Sequence, residues 1–86
     1  PPLTSEDQPF FVTVLRDGTI FMEETEVTLE ELEAGLPQLM ATGNVQRIYI
    51  RGDSLAPYGP VLRVMAASVN SGVNWSVVAE PYRPGN

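Results

Sequence analysis

The sequence of 86 residues contains no cysteine and no histidine, and its five basic residues include no lysine. Without cysteine and histidine, the chain cannot build a Cys/His zinc site, a cysteine nucleophile or a Ser-His-Asp triad. We therefore expect no catalytic residues, no metal site and no cofactor.

The chain also has few positive charges. It has five basic and 11 acidic residues, which gives a formal net charge of −6. Non-specific binding to nucleic acid requires cations that face phosphates, and so does contact with anionic lipid. The charge balance argues against both kinds of partner.

Long apolar runs are missing as well. Crossing a bilayer takes about 20 consecutive apolar residues, and neither such a run nor a signal peptide is present. The sequence begins with Pro1-Pro2 rather than Met, so we expect a fragment from which a targeting or membrane segment has been removed. Its length fits a single domain with a modest core, which association with a second copy would help to stabilise.

The first part of the chain predicts a linker followed by a hairpin. Residues 1–9, PPLTSEDQP, are typical of an extended linker. Residues 10–15 are aromatic and β-branched, as in a strand, and Asp17-Gly18 is a strong hairpin signal. Residues 19–22 should return as the antiparallel partner, and Thr25–Val27 should prolong that strand. The domain is predicted to cover residues 10–81, with a tail at residues 82–86.

A first helix is predicted after the hairpin. Thr28 and Glu31 have the spacing of a capping box, and Gly43 is the expected C-cap. Pro37 costs about 3 kcal/mol in a helix interior, so we expect a kink or a restart of the helix there. The apolar residues at helical spacing predict one buried stripe: Leu29, Leu32, Leu36, Leu39 and Met40.

The second half predicts strand, helix and strand. Residues 45–51 form a strand in which Ile48 and Ile50 face the core. Pro57 suits the first turn of a second helix, which Ser71-Gly72 should end. The predicted apolar face of this helix consists of Val61, Leu62, Met65 and Val69.

Residues 75–79 are predicted to form the last strand. The predicted fold is therefore α+β with the order ββαβαβ: a four-stranded mixed sheet with both helices packed on one face.

Arg51, Asp53 and Tyr58 surround the junction between the third strand and the second helix. Arg51-Gly52-Asp53 matches an integrin-adhesion tripeptide, but a strand-to-helix junction seldom supplies the flexible tip that adhesion requires. In a structural interpretation, Asp53 or Ser54 caps the helix or Asp53 pairs with Arg51, and Tyr58 packs over the corner. In a functional interpretation, the corner binds a ligand, as the carboxyl ends of strands in α/β layers often do. The residues alone favour the structural interpretation.

The other acidic residues do not form a recognisable site. A cluster of six glutamates lies around the start of the first helix: Glu23, Glu24, Glu26, Glu30, Glu31 and Glu33. The cluster lacks the ligand spacing of a calcium loop, and acids near a helix start are favoured electrostatically, so a solvated face is preferred over a calcium site or a docking patch. Asp17, Asp53 and Glu80 are not forced into a shared cleft for glycoside hydrolysis. We therefore expect that the protein is not an enzyme.

The open sheet has two edge strands, which can accept a strand from another chain. Edge pairing could produce a homodimer or capture an extended peptide, and the sequence does not choose between them.

Residues 11–80 resemble the periplasmic domain of the ExbD/TolR family of biopolymer-transport proteins. The similarity lies in the Asp17-Gly18 hairpin, in EETEVTLEELEAGL at the first helix, and above all in IYIRGDSLAPYGPVLRVMAASVNSGVNWSVVAEP. The residues that fit the family pattern as they stand are Arg51, Asp53, Tyr58, Val64, Met65, Gly72 and Glu80. The wording RGD…YG and EETEV looks more like TolR than ExbD. Four residues depart from the family pattern: Gly52, where alanine is frequent, and Gly35, Pro37 and Trp75.

The resemblance implies a ββαβαβ domain that forms homodimers and is anchored in the bacterial inner membrane by one N-terminal helix. It implies a TolQ/ExbB-like membrane subunit, a drive from the proton-motive force through a transmembrane carboxylate, and a TolA- or TonB-like periplasmic partner. Peptidoglycan is a further implied ligand. The favoured function is that of a TolR-like subunit of a Tol-Pal type complex. The alternatives are an ExbD-like subunit of a TonB-energising complex and a stand-alone peptide- or glycan-binding module. Arg51, Asp53 and Tyr58 are the implied binding residues, with an ion-pair or partner-facing role for Arg51 and a helix-capping or ion-pair role for Asp53.

Overall fold

The computed structural model describes residues 9–78. The predicted linker before them, the end of the last strand, Glu80 and the tail lie outside the described residues. The elements are β1 (Phe10–Val14), β2 (Ile20–Met22), β3 (Thr25–Val27), α1 (Leu29–Thr42), β4 (Ile48–Gly52), α2 (Tyr58–Ser71) and β5 (Trp75–Val78). Neither described helix has the length and apolar character needed to cross a membrane.

The strands form one mixed sheet in the order β3-β2-β1-β4-β5. β2 pairs antiparallel with both β1 and β3, whereas β4 runs parallel to β1 and to β5. The α+β class and the mixed sheet are confirmed. The prediction of four strands is wrong, because the described sheet has five.

The fifth strand arises from a chain reversal after Met22. Glu23 adopts a left-handed backbone with φ of 54°, which turns the chain so that Thr25–Val27 pairs with β2 instead of prolonging it. Two contacts to Phe11 hold Glu23 there: its N–H donates to the Phe11 carbonyl at 2.9 Å, and its Oε2 accepts from the Phe11 N–H at 3.1 Å. Left-handed backbone costs roughly 1–2 kcal/mol for a residue other than glycine, and these bonds offset part of that cost.

The predicted β1–β2 hairpin is confirmed, and its loop has three residues, 16–18. Leu15 N–H donates to the Thr19 carbonyl at 2.8 Å, and Gly18 N–H donates to the Leu15 carbonyl at 2.9 Å. Gly18 has φ of 91°, the position that a three-residue hairpin loop reserves for glycine. Asp17 Oδ1 accepts from Thr19 N–H at 2.9 Å, and this bond from a side chain to the backbone further stabilises the turn.

The core lies between one face of the sheet and both helices, as predicted. Ile48 and Ile50 of β4 are buried, together with Val12 of β1, and the helices cover them with residues such as Leu36 and Val64. Each such side chain contributes roughly 1.5–3 kcal/mol when it is removed from water. The opposite face of the sheet has no layer over it among the described residues.

Helix α1 begins and ends as predicted. Thr28 Oγ1 accepts from Glu31 N–H at 3.0 Å, and the Glu31 carboxylate accepts from Thr28 N–H at 2.8 Å, which completes the capping box. Gly43 is the C-cap with φ of 71°. The helix runs through Pro37 without restarting. Met40 is 48% exposed and does not belong to the buried stripe.

Helix α2 buries a different face from the predicted one. Its N-cap is Pro57, so the first turn starts one residue later than expected, at Tyr58. The buried residues are Val64, Ala67 and Ser68, and the Ser68 hydroxyl is satisfied because it donates to the Val64 carbonyl at 2.8 Å.

Two residues of the predicted apolar face of α2, Leu62 and Val69, are instead exposed at 41% and 61%. The side chains of Ala67 and Ser68 are small, and α2 packs directly against α1 and β4. Small side chains allow this close approach, so the larger apolar residues lie on the solvent side.

Candidate functional site

The predicted corner lies where two parallel strands end together. Because β1 and β4 run parallel, the residues that follow them meet at one edge of the sheet. Asp53 N–H donates to the Val14 carbonyl at 3.0 Å, which holds this junction to the end of β1. Arg16, which follows β1, places its Nε 3.6 Å from Asp53 Oδ1.

Asp53 organises the corner without capping the helix. Its Oδ1 accepts from Leu55 N–H at 2.8 Å, and its carbonyl accepts from Ala56 N–H at 2.8 Å. These bonds form an Asx turn inside the loop. The N-cap of α2 is Pro57, which makes no side-chain capping bond. The helix-capping prediction for Asp53 is therefore wrong, and its ion-pair partner is Arg16 rather than Arg51.

Arg51 points away from the corner, on the sheet face that the helices leave open. Its guanidinium carbon lies 4.1 Å from the centroid of the Phe11 ring, and its Nε donates to Thr13 Oγ1 at 3.2 Å. The Phe11 and Tyr49 rings lie beside each other, with centroids 5.9 Å apart. Arg51 thus belongs to an aromatic cluster across β1 and β4.

Tyr58 does not pack over the corner: it is 76% exposed. It is the first residue of α2, and helical spacing places Tyr58, Leu62 and Val69 on one side of that helix. We call these three exposed residues the α2 stripe. Met65 lies between them and is half-buried. The structure therefore separates the three predicted site residues: Asp53 lies in the corner, Arg51 on the open sheet face and Tyr58 at the head of the α2 stripe.

The corner and the stripe together have the composition of a contact surface. No group of three or more acidic residues within residues 9–78 could hold a metal ion. The Arg16–Asp53 pair is largely solvent-exposed, and such pairs contribute ~1 kcal/mol or less to stability. Tyrosine and arginine are enriched among the residues that dominate protein–protein contacts, and contiguous exposed apolar side chains mark interaction sites.

A family model described as "Biopolymer transport protein ExbD/TolR" matches residues 3–81 of the chain. The chain belongs to the ExbD/TolR family. This membership confirms the resemblance predicted from the RGDSLAPYG motif. A search of curated proteins gave no match.

ExbD/TolR membership assigns the chain to biopolymer transport and to a family of membrane-anchored proteins. Within that frame, sequence reasoning missed two features of the site. No pattern in the sequence indicates that Arg16 is the ion-pair partner of Asp53. The aromatic cluster of Arg51 with Phe11 was also missed, because the pairing of β1 with β4 is needed to bring these residues together.

Proposed function

We propose that this chain is the periplasmic domain of a TolR-like inner-membrane protein and acts by binding rather than by catalysis. The parent protein would be part of a Tol-Pal type complex that the proton-motive force drives and that maintains the cell envelope. Membership of the ExbD/TolR family supports the general role in transport. The RGDSLAPYG wording favours TolR over ExbD within it.

The observation that carries the binding role is the α2 stripe. Tyr58, Leu62 and Val69 are 76%, 41% and 61% exposed, although helical spacing would let a single groove bury all three. Contiguous apolar residues on a soluble surface mark interaction sites, and an apolar helix face is a common docking element. We propose that a TolA-like periplasmic protein covers this stripe. Arg16 and Asp53 would supply charges at its rim, and peptidoglycan would be a second ligand of the same domain.

In this proposal the energy for transport is supplied outside the domain. A TolQ/ExbB-like membrane subunit and a carboxylate in a transmembrane helix would harness the proton gradient, since a buried membrane acid usually marks ion passage. The domain would pass on or anchor the resulting force through its contacts. It would therefore need no cofactor and carry out no turnover of its own.

Binding assays with purified partners test the proposal. The domain should retain TolA periplasmic segments, peptidoglycan sacculi or both, in pulldowns that also include TonB segments. Retention of TonB alone would favour an ExbD-like subunit, and retention of sacculi alone would favour a stand-alone glycan-binding module. Binding to none of the three would contradict the proposed role.

A matched pair of variants tests the surface. Tyr58→Ser and Leu62→Ser remove apolar contacts from the α2 stripe and should weaken TolA binding, because both side chains would be buried by the partner. Met40→Ser changes a residue of comparable exposure, 48%, on the other helix, and should leave binding unchanged. Equal effects of all three substitutions would contradict the assignment of the stripe.

A further inference from the structure

A cavity of about 220 Å³ opens beside the β1–β2 turn, between the β2–β3 hairpin and the two helices. Its lining is mixed in character. Apolar contacts come from Ile20, Val27, Leu29 and Pro60, and charged groups come from Glu26 and Arg63. A pocket with an apolar lining and a few polar groups is the usual form of a binding site in proteins.

The cavity is separate from the corner and from the α2 stripe. Gly18 is the last residue of the β1–β2 turn, and a Cβ atom at this position would lie 3.6 Å from Cγ of Pro60. The turn is thus in contact with the start of α2 and forms one wall of the cavity.

Arg63 is the residue of the lining that can bind an anion. Of the four arginines within residues 9–78, Arg16 pairs with Asp53, whereas Arg47 and Arg51 each donate hydrogen bonds. Arg63 has neither an ion pair nor a hydrogen bond within the described part of the chain, and Glu26 across the cavity is beyond ion-pair distance. A guanidinium has five donors in a fixed fork that matches a carboxylate.

The beginning of α1 is partly occupied by its own capping interactions. Thr28 lines the cavity, but its N–H donates to Glu31 and its hydroxyl accepts from Glu31 N–H. The capping box therefore satisfies the Thr28 and Glu31 N–H groups, and Arg63 is the cationic donor in the lining of the cavity. An anion in this cavity would meet Arg63.

We propose that the cavity binds the C-terminal residue of an extended peptide from a partner protein, with its apolar side chain on the cavity floor and its α-carboxylate on Arg63. The volume lies below the roughly 300–1,000 Å³ of pockets that hold whole small ligands, so one residue is a suitable occupant. A C-terminal residue carries an apolar side chain and a carboxylate on the same Cα. An internal Asp or Glu does not, because its side chain is itself the anion.

The surroundings of the cavity indicate the rest of the peptide. β3 is at the edge of the sheet, and its outer side has no paired strand among the described residues. The residues that precede the C-terminus can therefore run along β3 by strand addition. Glu26 belongs to β3 and Glu24 immediately precedes it, so basic residues upstream of the C-terminus are favoured electrostatically.

Titration of the 86-residue chain, followed by two-dimensional amide NMR, tests the proposal. The probe is an N-acetylated hexapeptide with two lysines and a C-terminal leucine, compared with the same peptide as a C-terminal amide. The free acid should shift the amide signals of residues 18–20 and 26–29 and bind with a Kd of about 1 mM or lower. The amide should bind about tenfold more weakly, a loss of ~1.4 kcal/mol, because it cannot form the charge-assisted pair with Arg63.

Two arginine variants complete the test. Arg63→Gln should weaken the free acid about tenfold and leave the amide unchanged, whereas Arg47→Gln removes an equal charge from another site and should alter neither. Equal affinity of acid and amide, an unchanged affinity of Arg63→Gln, or no shifts around the cavity at about 5 mM peptide would overturn the proposal. A C-terminal serine in place of leucine should also weaken binding, and equal affinity would rule out the apolar floor.

Discussion

The guanidinium of Arg51 stacks on the ring of Phe11, with its central carbon 4.1 Å from the ring centroid. The two residues come from neighbouring parallel strands and lie on the face of the sheet that the helices leave open. The Nε of Arg51 also donates to Thr13 Oγ1 at 3.2 Å. Arg51 is therefore held by the sheet itself, with its side-chain direction fixed by two contacts.

Replacing Arg51 should destabilise the domain. Arg51→Gln removes the cation–π contact, worth about 0.5–1 kcal/mol at a partly exposed site, and the bond to Thr13, worth about 1 kcal/mol. We expect a loss of about 1–2 kcal/mol in the free energy of unfolding, measured by urea denaturation. Arg51→Lys keeps the charge but not the planar stacking and should recover only part of this loss. Unchanged stability with lost partner binding would show instead that Arg51 acts by contact.

Asp53 should contribute through its turn rather than through its charge. Asp53→Ala removes the acceptor for Leu55 N–H and should cost about 1 kcal/mol. Asp53→Asn keeps an acceptor oxygen and should cost less. Arg16→Gln breaks only an exposed ion pair and should change stability by less than about 0.5 kcal/mol. Thermal unfolding of the three variants separates these effects, and a loss in Asp53→Asn equal to that in Asp53→Ala would assign the role to charge.

Local signals predicted most of the fold because they depend on neighbouring residues. The Thr28–Glu31 capping box determines where α1 begins, and Gly43 determines where it ends. Each signal involves residues that are close together in the chain, so the sequence alone is enough to predict both ends. The assignment of Ile48 and Ile50 to the core rests on strand alternation and holds for the same reason.

The predictions that were wrong depend on tertiary contacts. Leu62 and Val69 are larger and more apolar than Ala67 and Ser68, yet the smaller residues are buried. Hydrophobicity and helical spacing predict which residues share one side of a helix, but they do not predict how close the neighbouring helix lies. A short distance between the two helices leaves room only for small side chains. In the same way, the Arg16–Asp53 pair requires that β1 and β4 be adjacent and parallel, a relationship that no local pattern encodes.

Removing the proline from α1 should stabilise the domain. Pro37 lacks the N–H that would donate to the Glu33 carbonyl, and the helix continues through it. Pro37→Ala restores this bond and a good helix former, worth up to about 3 kcal/mol. The greater freedom of the unfolded chain offsets about 0.4–1 kcal/mol of that gain. We expect a net stabilisation of about 2 kcal/mol by urea denaturation. Ala34→Gly in the same helix should have the opposite sign, and no gain in Pro37→Ala would show that the helix had adapted fully to the proline.

The sheet edges should support a homodimer. β3 and β5 lie at the two edges of the described sheet, and Val77 of β5 is 52% exposed. Analytical ultracentrifugation should detect a dimer, and Val77→Lys should shift it toward monomer because lysine on an edge strand opposes pairing. Thr25→Lys is the corresponding control on β3 and identifies which edge pairs. A monomer at high concentration would contradict dimerisation of this chain, although tethering to a membrane would raise the effective concentration.

Asp17 should add a small, pH-dependent contribution to stability. The side chain of Thr19, together with its backbone N–H, lowers the pKa of the Asp17 carboxyl below its ordinary value of 3.8. Since the folded form binds this proton more weakly than the unfolded chain, the contribution is present above pH 3.8 and is lost as the pH falls through the lower folded pKa. Asp17→Asn keeps an acceptor for Thr19 but cannot titrate. The stability difference between wild type and Asp17→Asn should therefore be constant near neutral pH and change only below about pH 4. An NMR titration that places the Asp17 pKa above its ordinary value would contradict the role assigned to Thr19.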